Sequence, residues 1–304
     1  MRITFAKIVA ALIILGVCTF LPVVSAPTKT GLAMMKVETG ARASGMGGAY
    51  VSVSGDPFSS AYNPAGIRGI SRFTVGLGHN EYWSNIRIES GYFASPLKGR
   101  FAIHGGIRFA GLGNLEIRQT PTSEPDAFAD AHDISFKTGL GYRISDKLYA
   151  GFGVGWFFEK ISSFRGSSFN VDFGALATPK PNLNVGVAVS NVGSGFILQQ
   201  QNAAGSREIS LPTTYRVGAS YYRNRFLGAA DVVVLDEKAH LHLGMEKQIR
   251  KYFAVRAGYM FNYDTKGMSA GASFTRRNLT IDYAFVPYRS GIDDSHQFTF
   301  TFAL

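Results

Sequence analysis

The amino-acid sequence predicts an all-β protein: an antiparallel transmembrane β-barrel of about fourteen strands with a short N-terminal plug segment. Three observations lead there. Of 304 residues, 46% are apolar and only 17% charged, with a mean hydropathy of +0.05, whereas soluble domains carry roughly 25% charged residues. Glycine (35), phenylalanine (24) and tyrosine (14) are abundant, a composition suited to many strands joined by tight turns. From Phe73 onward, apolar residues alternate with small or polar ones in segments of about ten, the side-chain period of a strand. Past the leader there is no run of about eighteen apolar residues, so no helical membrane span is expected.

Residues 1–26, "MRITFAKIVAALIILGVCTFLPVVSA", set Arg2 and Lys7 ahead of an apolar stretch from Ile8 and close on small residues. That is the layout of a cleaved secretory signal, and Pro27 favours a cut after Ser25. Cys18 follows Val17 inside the continuing apolar run, which argues against lipid attachment. Its removal leaves a mature chain without cysteine, so neither a disulfide framework nor a cysteine nucleophile is expected. The chain divides into a signal peptide (1–26), a plug or hatch (27–70) and a barrel (71–304), integral to the outer membrane of a Gram-negative-type bacterium.

The stretch "GARASGMGGAYVSVSGDPFSSAYNPAGI", 40–67, has the glycine density of a phosphate-binding loop. A dinucleotide fingerprint needs G-x-G-x-x-G between a strand and a helix; Gly45 and Gly47 fit, but Tyr50 stands at the third position and no βαβ unit follows. No cofactor is expected. Asp56 and Pro57 instead predict a short helix, Asp56 capping it and Pro57 first within it, ended by Asn63 and Pro64. The segment is too short for a domain and too patterned for a linker, and is expected to fold into the barrel mouth.

Strands are predicted at 73–83, 85–96, 99–112, 131–144, 147–161, 167–178, 183–193, 211–224, 225–236, 239–249, 251–264, 267–276, 279–288 and 295–304. In "KLYAGFGVGWFFEK", Leu148, Ala150, Phe152, Val154, Trp156 and Phe158 form an apolar face opposite Tyr149, Gly151, Gly153, Gly155 and Glu159. The same division recurs in "LNVGVAVSNV", "YFAVRAGYMFNY" and "LTIDYAFVPY". A soluble sandwich would carry abundant lysine and glutamate on its second face. Here that face holds glycine and isolated charges, which points to lipid outside and a lumen inside. The longest connections, after the third, seventh and thirteenth strands, all follow odd-numbered strands, while "SPLKGR", "SDK", "PKPN", "RNR", "QIRK" and "RRN" are short basic turns. Short periplasmic turns alternating with longer outer loops are the barrel pattern. Glycine pairs such as Gly139 with Gly141 and Gly151 with Gly153 thin the wall where something packs inside. The last strand, "SHQFTFTFAL", aligns Phe298, Phe300, Phe302 and Leu304 on one face and resembles the signal read by the outer-membrane assembly machinery.

The motif "ARASGMGGAYVSVSGDPFSSAYNPAGI" resembles the N-terminal signature of PorV/PorQ-type proteins, within the FadL-like (OMPP1/FadL/TodX) superfamily of fourteen-stranded outer-membrane barrels. The resemblance rests on Gly47, Gly48 and Ala49, on Asp56, and on Asn63, Pro64, Ala65 and Gly66. It implies a barrel with a plug and one of two roles. PorV-type proteins accompany type IX secretion and receive exported proteins, so secreted proteins or secretion components would be partners. The fatty-acid transporters of the superfamily pass hydrophobic ligands; relative to them this chain is shorter and lacks long outer loops. A small glycine-lined interior leans toward the scaffold, whereas an apolar pocket around Met34, Met35, Met46, Phe58 and Tyr62 would lean toward transport.

Ionisable residues expected to face the lumen are Arg87, Glu89, His104, Arg108, Asp133, Lys137, Glu159, Asp172, Arg216, Asp231, Glu246, Arg256 and Asp282. Both signs are present, so ion pairs within the lumen or to the plug are the simplest account, with a path for a charged solute as the alternative. His240 and His242 share a face but lack a third metal ligand. Ser295 and His296 are adjacent and point apart, and no serine, histidine and acid converge; no enzyme is expected. The net charge of +10, or +8 once Arg2 and Lys7 leave, comes without a basic run interleaved with aromatics, which argues against nucleic acid. Basic turns beside anionic outer-membrane lipid or lipopolysaccharide account for it.

Overall fold

The computed structural model describes residues 33–304 except 83–85, 119, 121–122, 201–205, 290 and 292. The predicted secretory signal, 1–26, and its cleavage site lie outside the described residues. Among the described residues sixteen strands follow in chain order: β1 (Thr74–Glu81), β2 (Arg87–Pro96), β3 (Phe101–Ile117), β4 (Ala127–Ser145), β5 (Leu148–Ile161), β6 (Phe164–Lys180), β7 (Leu183–Val192), β8 (Phe196–Gln200), β9 (Ser206–Ile209), β10 (Thr214–Arg223), β11 (Phe226–Leu235), β12 (Lys238–Gln248), β13 (Phe253–Met260), β14 (Met268–Arg276), β15 (Leu279–Val286) and β16 (Ser295–Ala303). All except β8 and β9 close into an antiparallel fourteen-stranded barrel, sealed where β1 meets β16. Closure leaves no free edge in the wall, so its backbone groups are paired within it, as a lipid environment requires.

Each predicted strand is present. Two features differ from the sequence reading. Half of the gap expected between the third and fourth strands is strand, because β3 and β4 continue their pairing past a bulge to Ile117 and Ala127. Within the seventh connection, β8 and β9 form an unpredicted hairpin, and β8 pairs with the upper part of β6. Alternation sorts the side chains: Phe152 and Val154 are exposed on the outer face of β5, while Gly153, Gly155, Phe157 and Glu159 are buried inward. Exposed residues such as Leu77, Ile107, Phe109, Phe136, Leu140, Phe173, Val232, Val255, Phe298 and Phe300 build an outer apolar belt. So extensive an apolar surface calls for lipid.

The short connections on one end are 97–100, 146–147, 181–182, 224–225, 249–252 and 277–278; this is the periplasmic end. Residues 33–72 run inside the barrel. Lys36 meets Asp236 in an outer turn, whereas Arg68 reaches Thr178 and the carbonyl of Asp146 at the periplasmic end. The segment therefore spans the lumen from one end to the other.

Candidate functional site

The inner segment is built from short turns, each set by local chemistry. Pro57–Ala61 is a 3₁₀ turn with Asp56 as its cap, accepting from the Ser59 amide. Asn63 does not merely end that turn. Its side chain caps a second one, Pro64–Ile67, by accepting from the Ala65 amide at 2.9 Å. In both, proline occupies the first position, where its missing N–H costs nothing. One helical turn, α1 (Ala41–Gly45), precedes them. Gly47 (φ 62°) and Gly48 (φ 70°) turn the chain back in the left-handed region. The segment also lies flat on the wall: a Cβ on Gly258 would strike the Gly47 backbone, and one on Gly151 would strike Pro64 and Ala65. Ala49 is fully buried against Gly244, and Gly66 packs on Ser59.

Polar contacts then fasten the segment around the circumference. Asp231 on β11 is fully buried and accepts from the amides of Tyr50 (2.6 Å) and Val51 (2.8 Å). The Asn63 amide donates to the carbonyls of Val51 (2.8 Å) and Ala175 on β6 (3.0 Å). Ser44 donates to Gln297 on β16 at 2.7 Å, and Ser220 on β10 to the Ser52 carbonyl at 3.1 Å. Below, Arg42 forks onto both Glu246 oxygens at 2.9 Å, a charge-assisted pair of high specificity. Glu246 also takes Arg256 at 2.6 Å, and Arg256 reaches Asp282 at 2.9 Å. Asp56 joins this network through Arg42 and the Tyr50 hydroxyl. Above, Glu38 pairs with Lys266 at 2.6 Å. Burial pushes the Glu38 carboxyl up, but the charge and hydrogen bond of Lys266 outweigh it and hold its pKa below the ordinary carboxylate value.

Of the predicted lumen charges, Arg108, Glu159, Asp172, Arg216, Asp231, Arg256 and Asp282 do face inward, with His104, Asp133, Lys137 and Glu246. Lys137 pairs with Asp172 at 2.6 Å, Arg108 donates to the Val37 carbonyl at 3.3 Å, and Arg216 lies 5.2 Å from the Tyr62 ring centre. Glu159 sits opposite Asp133 across the β4–β5 ladder. Arg87 and Glu89 are misplaced by the sequence reading. Ile88, Tyr92 and Ala94 take the inward side of β2, so parity turns Arg87 and Glu89 outward, both exposed, and Glu89 meets His79 at 2.6 Å on that outer surface. They stand near the outer end of the strand, where an outward charge reaches water. Residues the sequence reading missed include Glu38, Arg42, Tyr50 and Lys266; Arg42 and Tyr50 lie inside the quoted motif, while Lys266, in an outer loop, carries no local signal.

His240 and His242 serve a tyrosine: His240 stacks on Tyr263 (3.8 Å between centres) and the His242 Nε2 lies 2.9 Å from its hydroxyl. Among the described residues, no group of three His, Cys, Asp or Glu could hold a metal ion. The apolar residues of the segment do not share one pocket. Met34 packs with Phe157, Phe196, Leu198, Ile209 and Leu211 under the β8–β9 hairpin, Met46 and Tyr62 pack with Tyr50, Leu227 and Ala229, and Phe58 lies on Tyr92. The spaces left inside the barrel are of mixed lining, more polar than apolar. A cavity of about 380 Å³ on the periplasmic side is lined by Arg42, Asp56, Glu246, Arg256 and Asp282 together with Phe58 and Ile70, and one of about 60 Å³ above the segment by Arg108, Lys137 and Arg216 together with Met35, Tyr62 and Tyr92.

Comparison with known proteins bears out the resemblance. The family model described as "Type IX secretion system protein PorV" matches residues 25–162. No curated protein matches the chain. Solved structures that share the fold include the Ralstonia pickettii toluene transporter TbuX (14% identity, 88% of this chain and 98% of that one, TM-score 0.67). The Pseudomonas putida toluene transporter TodX is similar too (12%, 86% and 96%, TM-score 0.65), as is a Pseudomonas aeruginosa FadL homologue (12%, 87% and 98%, TM-score 0.63).

Proposed function

We propose that this barrel, PorV-like in its first half and FadL-like in its fold, is a non-enzymatic outer-membrane scaffold of type IX secretion that receives exported proteins at its outer rim. The leader directs export and is cleaved; the assembly machinery inserts the barrel by way of its C-terminal strand. Residues 27–70 act as a fixed plug, with Gly47, Gly48, Ala49, Asp56, Asn63, Pro64, Ala65 and Gly66 forming its seat and caps.

One observation carries the choice between scaffold and conduit. The lumen is crossed by a segment fastened to strands on every side, and the cavities beside it, though partly apolar, set several charged side chains where a ligand would lie. A hydrophobic ligand entering them would strip water from these groups without replacing their hydrogen bonds, at a cost of about 1 to 3 kcal/mol for each group left unmade. The competing reading is passive transport of hydrophobic small molecules, supported by the fold shared with the toluene transporters. Uptake of toluene into vesicles bearing either this barrel or a toluene transporter separates the two. The scaffold reading expects uptake no faster than through protein-free vesicles, and uptake matching the transporter would defeat it.

A further inference from the structure

We propose that the periplasmic rim is a ring-shaped binding surface for anionic glycerophospholipid headgroups of the inner leaflet. All six short turns carry an exposed base at or beside the turn: Arg100, Lys147, Lys180, Arg225, Arg250 and Arg277. Asp146 is the single acid among those turns. The outer connections are different: beside Arg118, Lys266 and Arg289 they hold the more numerous acids Glu124, Asp126, Asp236, Glu237, Asp264, Asp293 and Asp294. The positive balance of the chain is thus gathered at one end. The sequence leaves phospholipid and lipopolysaccharide equally open as the source of anionic charge; the strand sense puts these bases on the phospholipid side, away from the lipopolysaccharide leaflet.

Two further observations favour lipid over an acidic protein. The bases stand all round the barrel, a geometry a leaflet can meet at every turn at once, whereas a protein would engage one sector or the mouth. Beside them lie exposed apolar residues, Ile144 next to Lys147, Phe226 next to Arg225, and Ile249 and Tyr252 around Arg250. That is the girdle of a membrane interface, from which lysine and arginine extend to the phosphates. Arg225 (φ 64°) and Arg277 (φ 54°) also occupy left-handed turn positions, where glycine or asparagine is the easier residue. The positive charge is kept there against backbone preference.

The test is native mass spectrometry of the full barrel released from bilayers of equal phosphatidylglycerol and phosphatidylethanolamine. Wild type is expected to retain phosphatidylglycerol preferentially, with a bias falling as salt rises, since each base near an anionic surface contributes roughly fivefold in binding. Replacing the six bases with glutamine (Arg100→Gln, Lys147→Gln, Lys180→Gln, Arg225→Gln, Arg250→Gln, Arg277→Gln) should abolish the bias. Lys160→Gln, Lys238→Gln and Arg289→Gln together, which remove charge from the outer half, should leave it intact. If the sixfold variant does not assemble, judged by gel mobility unchanged on boiling, the Arg100, Lys147, Lys180 and the Arg225, Arg250, Arg277 triple variants should each lose part of it. An equal lipid profile for wild type, a bias insensitive to salt, or an acidic periplasmic protein retained through the ring in place of lipid would overturn the proposal.

Discussion

Asp231 shows what a single lumen charge can do in this barrel. One carboxylate oxygen receives two consecutive amides of the inner segment, and Asp231 has no exposed surface. Asp231→Ala leaves both donors buried and unmet, at a cost of about 2 to 4 kcal/mol. Asp231→Asn keeps an acceptor oxygen and should cost less. Denaturant titration in micelles, with protease sensitivity of residues 33–72 as a second readout, orders the two. The Glu38–Lys266 pair gives a pH dependence whose sign follows from the depressed carboxyl. Its contribution is complete above the ordinary value of 4.5 and is lost as pH falls through the lower folded value. Glu38→Gln should therefore flatten the acid side of the stability profile, measured as melting temperature against pH; an unchanged acid limb would contradict the pair's role. At this scale, most charges read as luminal stand at inward positions of their strands, while Arg87 and Glu89 do not. The parity set by Ile88 and Tyr92 turns both outward.

At the scale of elements, the barrel strands were legible because each repeats the same two-residue alternation over a membrane's width between turn residues. The β8–β9 hairpin was not, because its strands are only five and four residues long, too short to display a sustained alternation. A trace was present: Phe196 and Leu198 alternate, and both are buried over the outer end of the segment with Met34. Asp56 with Pro57 announced a capped turn correctly, but Asn63 with Pro64 read as a stop proved also to be a start. The hairpin covers the segment without belonging to the closed wall. Replacing residues 194–210 by a short glycine linker should therefore leave an assembled, heat-modifiable barrel. The same change should expose Met34 and Leu211 and raise binding of a hydrophobic dye. A variant that fails to assemble would show that the hairpin supports the wall itself.

For the molecule as a whole, the outer face is apolar, the lumen is polar, and the inner segment is joined to the wall by backbone contact at glycines and by ion pairs below and above. A gate would need a loosely held element, since moving parts come from the low-stability end of a structure. This segment is held at Arg42, Asp231, Asn63 and Glu38 together, which suits a rigid support for partners at the rim. The measurement that tests this most directly is gentle detergent extraction from native membranes followed by native mass spectrometry of the purified barrel. The account predicts a secreted protein or a secretion component travelling with it, through the outer connections at 118–126 and 193–213. A bare barrel carrying an apolar small molecule in its lumen would contradict it.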